Sequence, residues 1–287
     1  MDVLSVMAYE MRKDVLDMIY HAGTGHIGGD FSVMEILTDL YFRQMNISPE
    51  NVDDPDRDRF VLSKGHSVES YYAVLARKGF LDIEDVKARF SAFDSPYIGH
   101  PNNKLPGIEM NSGSLGHGLP VCVGMALAGK MDQKDYRVYT VMGDGELAEG
   151  SVWEGVMSAS HYKLDNLCAV VDRNRLQISG STEDIMHHDD LEQRFSSFGW
   201  HVVTADGNDI PSLDGAFEEA RSQKGRPTVV IANTTKGCGV SFMENQAGWH
   251  HRVPTADEYQ AAVRELSQRE AGEHSRSAHN KEVLRDE

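Results

Sequence analysis

The sequence has few cysteines and no long apolar run. Its three cysteines, Cys122, Cys168 and Cys238, are odd in number, far apart and without CxxC spacing, so neither a disulfide framework nor a zinc cluster is indicated. Charged residues interrupt the N-terminal apolar residues before a signal-peptide core could form, and no apolar run approaches membrane-spanning length. We therefore expect a cytoplasmic protein with no membrane partner.

Positive charge is also scarce. The chain has 28 Lys and Arg against 45 Asp and Glu, a formal net charge of -17. This charge repels polyanions, and no Lys/Arg-rich stripe offsets it, so nucleic acid is excluded as a partner. The 287 residues, of which 40% are hydrophobic and 25% charged, are otherwise typical of a globular protein.

The start of the chain predicts two helices separated by a glycine-rich loop. Residues 2–22 have an amphipathic helical pattern, whereas residues 23–29 contain four glycines, which disfavour a helix. Ser32 and Glu35 have capping-box spacing and predict the start of the second helix. Its predicted apolar face consists of Val33, Ile36, Leu37, Leu40 and Tyr41.

The remainder of the chain alternates between apolar strand patterns and helical patterns. Strands are predicted at residues 59–63, 138–142, 167–171, 200–204 and 228–232, and helices at residues 147–162, 189–198 and 211–224. This alternation predicts an α/β fold, a mostly parallel sheet with helices on both faces and with ligands beyond the carboxyl ends of the strands. Residues 93–118 predict an irregular stretch that lines a site. We expect one domain over residues 1–264 and a charged tail or helix over residues 265–287.

The clearest chemical signal is Gly143-Asp144-Gly145-Glu146, which follows one predicted strand, while Asn174 follows the next. Neighbouring parallel strands would bring Asp144 and Asn174 together. A carboxylate, an amide oxygen and a nearby backbone carbonyl are ligands that Mg²⁺ prefers, with phosphate oxygens completing its coordination. Gly-Asp-Gly alone also forms ordinary turns, so it is the strand context and the downstream Asn that favour a diphosphate site.

Four histidines lie in loops that are mostly flanked by glycine: His26, His66, His100 and His250. Any one of the 13 histidines is more often structural. Four in such loops favour a site, because imidazole titrates near neutrality and can donate to an oxyanion or transfer a proton. The adjacent pairs at positions 187–188 and 250–251 point in different directions and lack a third ligand, so we expect no zinc site.

The segment from Gly143 to Gly180 resembles the thiamine diphosphate motif of transketolases. The resemblance extends, in the order found in that family, from the first helix to about Tyr259. It includes Gly25-His26-Ile27-Gly28, Ser63-Lys64-Gly65-His66, Gly99-His100-Pro101, Gly113-Ser114-Leu115-Gly116 and Trp249-His250. The chain departs from the family at two positions, because His117 replaces a common Gln and His251 replaces a common Gly.

The resemblance implies a thiamine diphosphate-binding domain and a role for each matching residue. The metal, Mg²⁺ or else Ca²⁺ or Mn²⁺, would be bound by Asp144, Asn174 and the carbonyl of Leu176. Thiamine diphosphate would contact His66, Ser114, Leu115, Gly116, Gly143, Asp144, Gly145, Glu146, Asn174 and His250. The catalytic group would be His26, His100, His250 and Glu149, with His26 and His100 directed at substrate oxygens and Glu149 in an acidic network across a subunit interface.

Transketolases are about twice as long as this chain, and the part that it lacks binds the aminopyrimidine ring of the cofactor. The resemblance therefore implies the N-terminal subunit of a split transketolase. Such an enzyme transfers a two-carbon ketol unit from a ketose, phosphorylated or an analogue, to an aldose. The partner would be a C-terminal subunit carrying the pyrimidine-binding domain, in a heterotetramer.

Two other functions are compatible with the residues. The chain could be a non-catalytic cofactor-binding or regulatory subunit, although metal and diphosphate binding alone would not require all four histidines. It could also be a different metal-dependent enzyme acting on a phosphorylated compound. That alternative leaves the order of the motifs unexplained, and the sequence contains no GxxxxGK[ST] phosphate loop.

Overall fold

The computed structural model describes the backbone of residues 3–188 and 190–283 and the side chains within those ranges up to residue 274. Its strands are β1 (Arg59–Leu62), β2 (Val138–Gly143), β3 (Leu167–Arg173), β4 (Leu176–Gln177), β5 (Gly180–Ser181), β6 (His201–Asp206) and β7 (Thr228–Asn233). Its α-helices are α1 (Val3–Ala22), α2 (Ile27–Asp39), α3 (Val68–Lys78), α4 (Ile83–Arg89), α5 (Gly118–Met131), α6 (Gly150–His161), α7 (Thr182–Ile185), α8 (Leu191–Ser197), α9 (Ile210–Ser222) and α10 (Ala256–Val283). Residue 2 of the first predicted helix, residue 189 of the predicted helix 189–198 and residues 284–287 of the predicted tail lie outside the described residues.

Five strands form one parallel sheet in the order β1-β2-β3-β7-β6. Gly143 at the end of β2 pairs with Asp172 on β3, and Arg173 pairs with Asn233 on β7. The carboxyl ends of the three central strands therefore lie at one edge. The short strands β4 and β5 form a separate antiparallel pair directly after β3.

Helices cover both faces of this sheet. Along β3, Cys168 and Val170 belong to one buried cluster, with α1, α2, α3 and α9. Leu167, Ala169 and Val171 belong to a second cluster, with α5, α6 and α8. Because successive strand residues point to opposite faces, a strand buried on both sides must be apolar throughout. The predicted α/β fold with a mostly parallel sheet and helices on both faces is confirmed.

The predicted loop over residues 23–29 is wrong in its second half, because α2 begins at Ile27. Gly28 and Gly29 lie in the first turn of this helix. A methyl group on Gly28 would lie 2.7 Å from the carbonyl oxygen of Trp249, and one on Gly29 would lie 2.9 Å from Ser67 Oγ. Close packing against neighbouring segments therefore outweighs the low helix propensity of glycine here.

The predicted capping box at Ser32 and Glu35 is also wrong. Both residues lie inside α2, where the N-cap position is His26. Ser32 Oγ donates instead to Asp172 Oδ2 at 2.7 Å. The two side chains have buried long-range partners, which the spacing of the residues cannot reveal.

Three further helices were not predicted, and several ends differ. The patterns miss α3, α4 and α5, and α5 is apolar around most of its circumference, so it lacks a helical stripe. A 3₁₀ turn over Gly145–Ala148 and then α6 replace the predicted helix 147–162. The irregular stretch is present as expected, since no helix or strand lies between the described helices α4 and α5.

The last helix, α10, runs without a break through residue 264, where we expected the domain to end. Leu266 is buried, and Lys13 on α1 forms an ion pair with Glu270 at 2.6 Å. The division into residues 1–264 and 265–287 stays a prediction. None of the described helices is both long and apolar enough to cross a membrane.

A buried ion pair joins α1 to α2 below the site. The Arg12 guanidinium, which is fully buried, donates to both carboxylate oxygens of Glu35 at 2.5 and 2.6 Å and to the carbonyl oxygen of Phe31 at 2.7 Å. Asn208 Nδ2 also donates to Glu35 Oε2 at 2.9 Å. Because each charge is satisfied only by the other elements, removing one partner leaves an uncompensated charge in the core.

We predict that Arg12→Met destabilises the chain by about 3–5 kcal/mol, because Glu35 would remain buried without a cation. Arg77→Met is the control, since the Arg77–Glu10 pair is partly exposed and its loss should cost less than about 1 kcal/mol. Urea unfolding measures both free energies. An Arg12→Met variant that loses no more stability than Arg77→Met would contradict the prediction.

Candidate active site

A cavity of about 250 Å³ opens at the carboxyl ends of β2 and β3. It brings together ten of the residues predicted from the sequence: His26, His66, Leu115, Gly143, Asp144, Gly145, Glu146, Asn174, Leu176 and His250. It is also lined by Gly29, Lys64, Gly113, Gln177, Ile178 and Lys236, which were not predicted as site residues. The site therefore lies where parallel α/β sheets generally bind ligands.

The three predicted metal ligands lie in this cavity. Asp144 is buried, and its carboxylate accepts hydrogen bonds from the backbone N–H groups of Gly145 at 2.9 Å and Arg175 at 2.6 Å. Asn174 Oδ1 accepts from the N–H of Leu176 at 3.1 Å, and Asn174 Nδ2 donates to Ser32 Oγ at 3.4 Å. Backbone and side-chain hydrogen bonds thus fix both oxygen donors before any ligand binds.

This donor set fits a hard divalent cation. Burial and the nearby negative charge of Asp172 raise the pKa of Asp144 to about 6, and a bound cation would favour the ionised carboxylate. Among the described residues, no group of three or more His, Cys, Asp or Glu side chains is arranged to bind a metal. Asp144, Asn174 and the Leu176 carbonyl would therefore need further oxygen ligands, which diphosphate and water can supply.

Five histidines from distant parts of the chain meet beside these residues. The ring of His26 lies at the centre, with centroid distances of 5.4 Å to His66, 6.2 Å to His100, 5.7 Å to His250 and 4.5 Å to His251. His251 was noted in the sequence only as a departure from the family and was not predicted as a site residue. The clustering of the four predicted histidines agrees with their expected proximity.

The surroundings keep these imidazoles neutral. Burial and the neighbouring His251 lower the pKa of His26 to about 4, and burial and Lys236 lower the pKa of His250 to about 3. Burial also lowers the pKa of His66 and His100. At neutral pH these rings can therefore donate or accept hydrogen bonds without adding positive charge.

Two lysines complete the cavity, and sequence reasoning did not assign either to the site. Lys64 is buried, donates to the carbonyl oxygen of Gly29 at 3.0 Å and forms an ion pair with Asp172. Lys236 is also buried, and its Nζ lies 2.9 Å from His250 Nδ1 and 3.4 Å from the carbonyl oxygen of Leu176. Its position just after the predicted strand 228–232 could have revealed it, since that strand ends at the same edge.

Lys236 differs from Lys64 in lacking a carboxylate partner within the described part of the chain. Burial, and then repulsion by Lys64, lower the pKa of Lys236 to about 8. A buried ammonium group without a counter-ion is costly, and an anionic ligand would compensate it. The cavity thus contains a cation suited to a phosphate oxygen close to oxygen donors suited to a metal.

Glu146 has a structural place at the cavity wall. Its carboxylate accepts hydrogen bonds from Ser63 Oγ, from the N–H of Gly116 at 2.8 Å and from the N–H of Gly143 at 3.1 Å. Burial raises the pKa of Glu146. Its oxygens hold the loop before α5 against the end of β2, and a direct contact with the cofactor stays a prediction.

Four predicted residues lie outside the cavity lining: His100, Ser114, Gly116 and Glu149. His100 packs against Gly113, where an added methyl group would meet its ring. Gly116 has a positive φ of 82°, and a methyl group there would lie 2.6 Å from Glu149 Cβ. Glu149 is exposed at the N-terminus of α6. The roles predicted for these four residues stay predictions.

The chain matches, over residues 4–272, the family model described as transketolase, thiamine diphosphate binding domain. It is 47% identical over 268 residues to one of the named subunits of the apulose-4-phosphate transketolase of Phocaeicola vulgatus, covering 93% of this chain and 95% of that protein. It is 41% identical over 272 residues to 6-deoxy-6-sulfo-D-fructose transketolase subunit SqwG of a Clostridium species, covering 92% and 96%.

Solved structures show the same relationship. The chain superposes on transketolase from Campylobacter jejuni with a TM-score of 0.83 at 27% identity, covering 99% of this chain and 50% of that one. For transketolase from Leishmania mexicana the TM-score is 0.81 at 26% identity, covering 96% and 46%. The chain thus spans about half of these transketolases but nearly all of the two subunits. It belongs to the transketolase family and corresponds to the thiamine diphosphate-binding part of that family.

Proposed function

We propose that this chain is the N-terminal subunit of a split transketolase, which binds thiamine diphosphate with Mg²⁺ and transfers a two-carbon ketol unit from a ketose to an aldose. The observation that carries the proposal is one cavity containing the oxygens of Asp144 and Asn174, the unpaired cation Lys236 and neutral histidines. Thiamine diphosphate, when bound, supplies the chemistry that breaks and forms the carbon–carbon bond. A cytoplasmic location stays a prediction from the sequence.

The cofactor's diphosphate is matched by one end of the cavity. Asp144, Asn174 and the carbonyl of Leu176 would bind Mg²⁺, while Lys236, His66 and His250 would donate to phosphate oxygens. A methyl group on Gly145 would lie 3.0 Å from Gln177 Cβ, so the absence of a side chain there leaves room for close approach of a ligand. Ca²⁺ or Mn²⁺ would suit the same oxygens.

The neutral histidines are suited to the substrate. A neutral imidazole can donate one hydrogen bond to a carbonyl or hydroxyl oxygen and can take up a proton as charge develops on that oxygen. His26 and His100 would perform this role, with His250 between substrate and diphosphate. The low pKa values of these rings keep them from competing with Lys236 for the cofactor's negative charge.

A partner chain is supported by the surface of α5 and α6. Val121, Gly124 and Ala128 are exposed along one side of α5, and Met157 is exposed on α6. An apolar stripe of this kind favours burial against another protein. The stripe and Glu149 would form part of the contact with a C-terminal subunit that carries the pyrimidine-binding domain, in a heterotetramer.

The names of the relatives suggest the substrate class. One acts on apulose-4-phosphate and another on 6-deoxy-6-sulfo-D-fructose, by their names. A small ketose with a terminal phosphate or sulfonate is therefore the donor that we propose, with an aldose as acceptor. The regulatory alternative has no observation in its favour, because the histidine cluster exceeds what metal and diphosphate binding require.

We predict that Asp144→Ala abolishes Mg²⁺-dependent binding of thiamine diphosphate to the assembled protein, because the anionic metal ligand is lost. Isothermal titration calorimetry with cofactor and Mg²⁺ measures the affinity. Asp209→Ala is the control, since it removes the exposed N-cap carboxylate of α9 and should leave the affinity unchanged. Wild-type affinity in Asp144→Ala would disprove the metal assignment.

We expect His26→Ala and His100→Ala to behave differently from Asp144→Ala. Each should leave cofactor binding nearly unchanged and lower ketol-transfer turnover by about 10²–10⁴-fold, as is typical for loss of an acid–base group. Steady-state kinetics and calorimetry on the same preparations separate the two effects. Equal losses of binding and turnover would instead assign these residues to the cofactor.

A further inference from the structure

Two buried carboxyl groups face each other directly beneath the histidine cluster. Asp30 lies in the first turn of α2 and Glu69 in the first turn of α3, and both are fully buried. Their side chains are hydrogen-bond partners of each other. In the described part of the chain neither forms an ion pair with a lysine or arginine, so the two acids must compensate each other.

The remaining hydrogen bonds show that one proton is needed between them. Asp30 Oδ1 accepts from the backbone N–H of Ser70 at 2.9 Å, and Glu69 Oε1 accepts from the backbone N–H of His26 at 3.2 Å. Asp30 Oδ2 and Glu69 Oε2 are buried, and no other group among the described residues donates to them. Two carboxylates would repel each other and leave both oxygens unsatisfied, whereas a single shared proton satisfies both.

The electrostatics agree with this geometry. Burial raises the pKa of Asp30 to about 7. Burial, and then the negative charge of Asp30, raise the pKa of Glu69 well above its ordinary range. The pair then keeps one negative charge, which lies at the N-terminal ends of two helices, where the helix dipoles stabilise an anion.

The pair is in direct contact with the turn that carries His26. His26 is the N-cap residue of α2, and its N–H is the group that Glu69 binds. The preceding Gly25 has a φ of 152°, and a methyl group there would lie 2.6 Å from Glu69 Oε1. His26 Nδ1 is itself buried and has no hydrogen-bond partner among the described residues, so backbone placement and ring packing determine where the imidazole points.

We propose that Asp30 and Glu69 share one proton, with Glu69 donating to Asp30, and that this pair positions the Gly25–His26 turn so that the His26 imidazole faces the substrate. Asp30 and Glu69 are thus positioning residues, which act through His26. The positioning role rests on the proposed function, in which His26 contacts the substrate. The shared proton does not depend on that function.

The shared proton is tested on the chain without any turnover. Infrared difference spectra at neutral pH, wild type minus variant, should contain one band of a protonated carboxylic acid that shifts in D₂O. Glu69→Gln and Asp30→Asn should each remove this same single band, because an amide then donates to the remaining carboxylate. No band in the wild type, or a separate band removed by each variant, would overturn proton sharing.

The positioning role is tested in the complex with its complementary subunit. Glu69→Gln keeps both hydrogen bonds, since its amide can accept from His26 and donate to Asp30, and should keep kcat close to the wild-type value. Glu69→Ala should lower kcat by about 10- to 100-fold, the size of effect expected from a displaced catalytic group, with an unchanged cofactor Kd. Should Glu69→Ala not assemble, Asp30→Ala tests the contact from the other side, with the same loss expected.

Asp58→Asn is the matched control for lost stability. Asp58 is a buried acid that accepts from the backbone N–H groups of Asn46 at 2.8 Å and Arg137 at 2.7 Å, away from the cavity. It should lower the Tm without changing kcat. Unchanged kcat in the alanine variants, or a Glu69→Gln variant as slow as Glu69→Ala at equal Tm, would overturn the positioning role. A wild-type complex without ketol transfer would refute the proposed function, and the infrared result would still decide proton sharing.

Discussion

The site depends on a single buried carboxylate, that of Asp172 near the end of β3. Its oxygens accept hydrogen bonds from Ser32 on α2, from Lys64 after β1 and from Thr234 after β7. Four segments that are distant in the sequence are thereby tied to one point at the carboxyl edge of the sheet. Because Gly143 pairs with Asp172 in the register of β2 and β3, the next residues of both strands, which include Asp144 and Asn174, must turn into the same cavity.

Around this point the charges are arranged for a ligand that combines anion and cation. Lys64 is compensated by Asp172, whereas Lys236 has no carboxylate partner among the described residues, and Asp144 has a raised pKa. A metal diphosphate would compensate both groups at once. The neutral histidines add hydrogen-bonding capacity without altering this balance, which is why metal binding and substrate chemistry can occupy adjacent parts of one small cavity.

The sequence was sufficient for the features that depend on local pattern or motif. Apolar runs and helical spacing predicted the strands of the sheet, and Asp144 with Asn174 followed from the strand context. Lys236, His251 and the pair of Asp30 and Glu69 were missed because their importance arises only from contacts between distant segments. Local propensity was misleading at Gly28 and Gly29, where close packing decides the conformation.

Residues whose partners would come from another chain form a separate class. Glu149 and the apolar stripe of α5 are exposed in this chain, so their roles depend on what covers them. The same holds for activity, since the relatives of similar length are named as subunits while the solved transketolases are about twice as long. A cavity that is complete for diphosphate but open to a partner is consistent with a site formed between two polypeptides.

The central claim, that this chain is one half of a transketolase active site, is tested most directly by ketol-transfer turnover with thiamine diphosphate and Mg²⁺. The assay compares this chain alone, a complementary C-terminal transketolase chain alone and the two mixed or co-expressed. The account predicts turnover in the mixture only, dependent on both cofactor and metal. Turnover by this chain alone, or cofactor binding without turnover in every mixture, would contradict it.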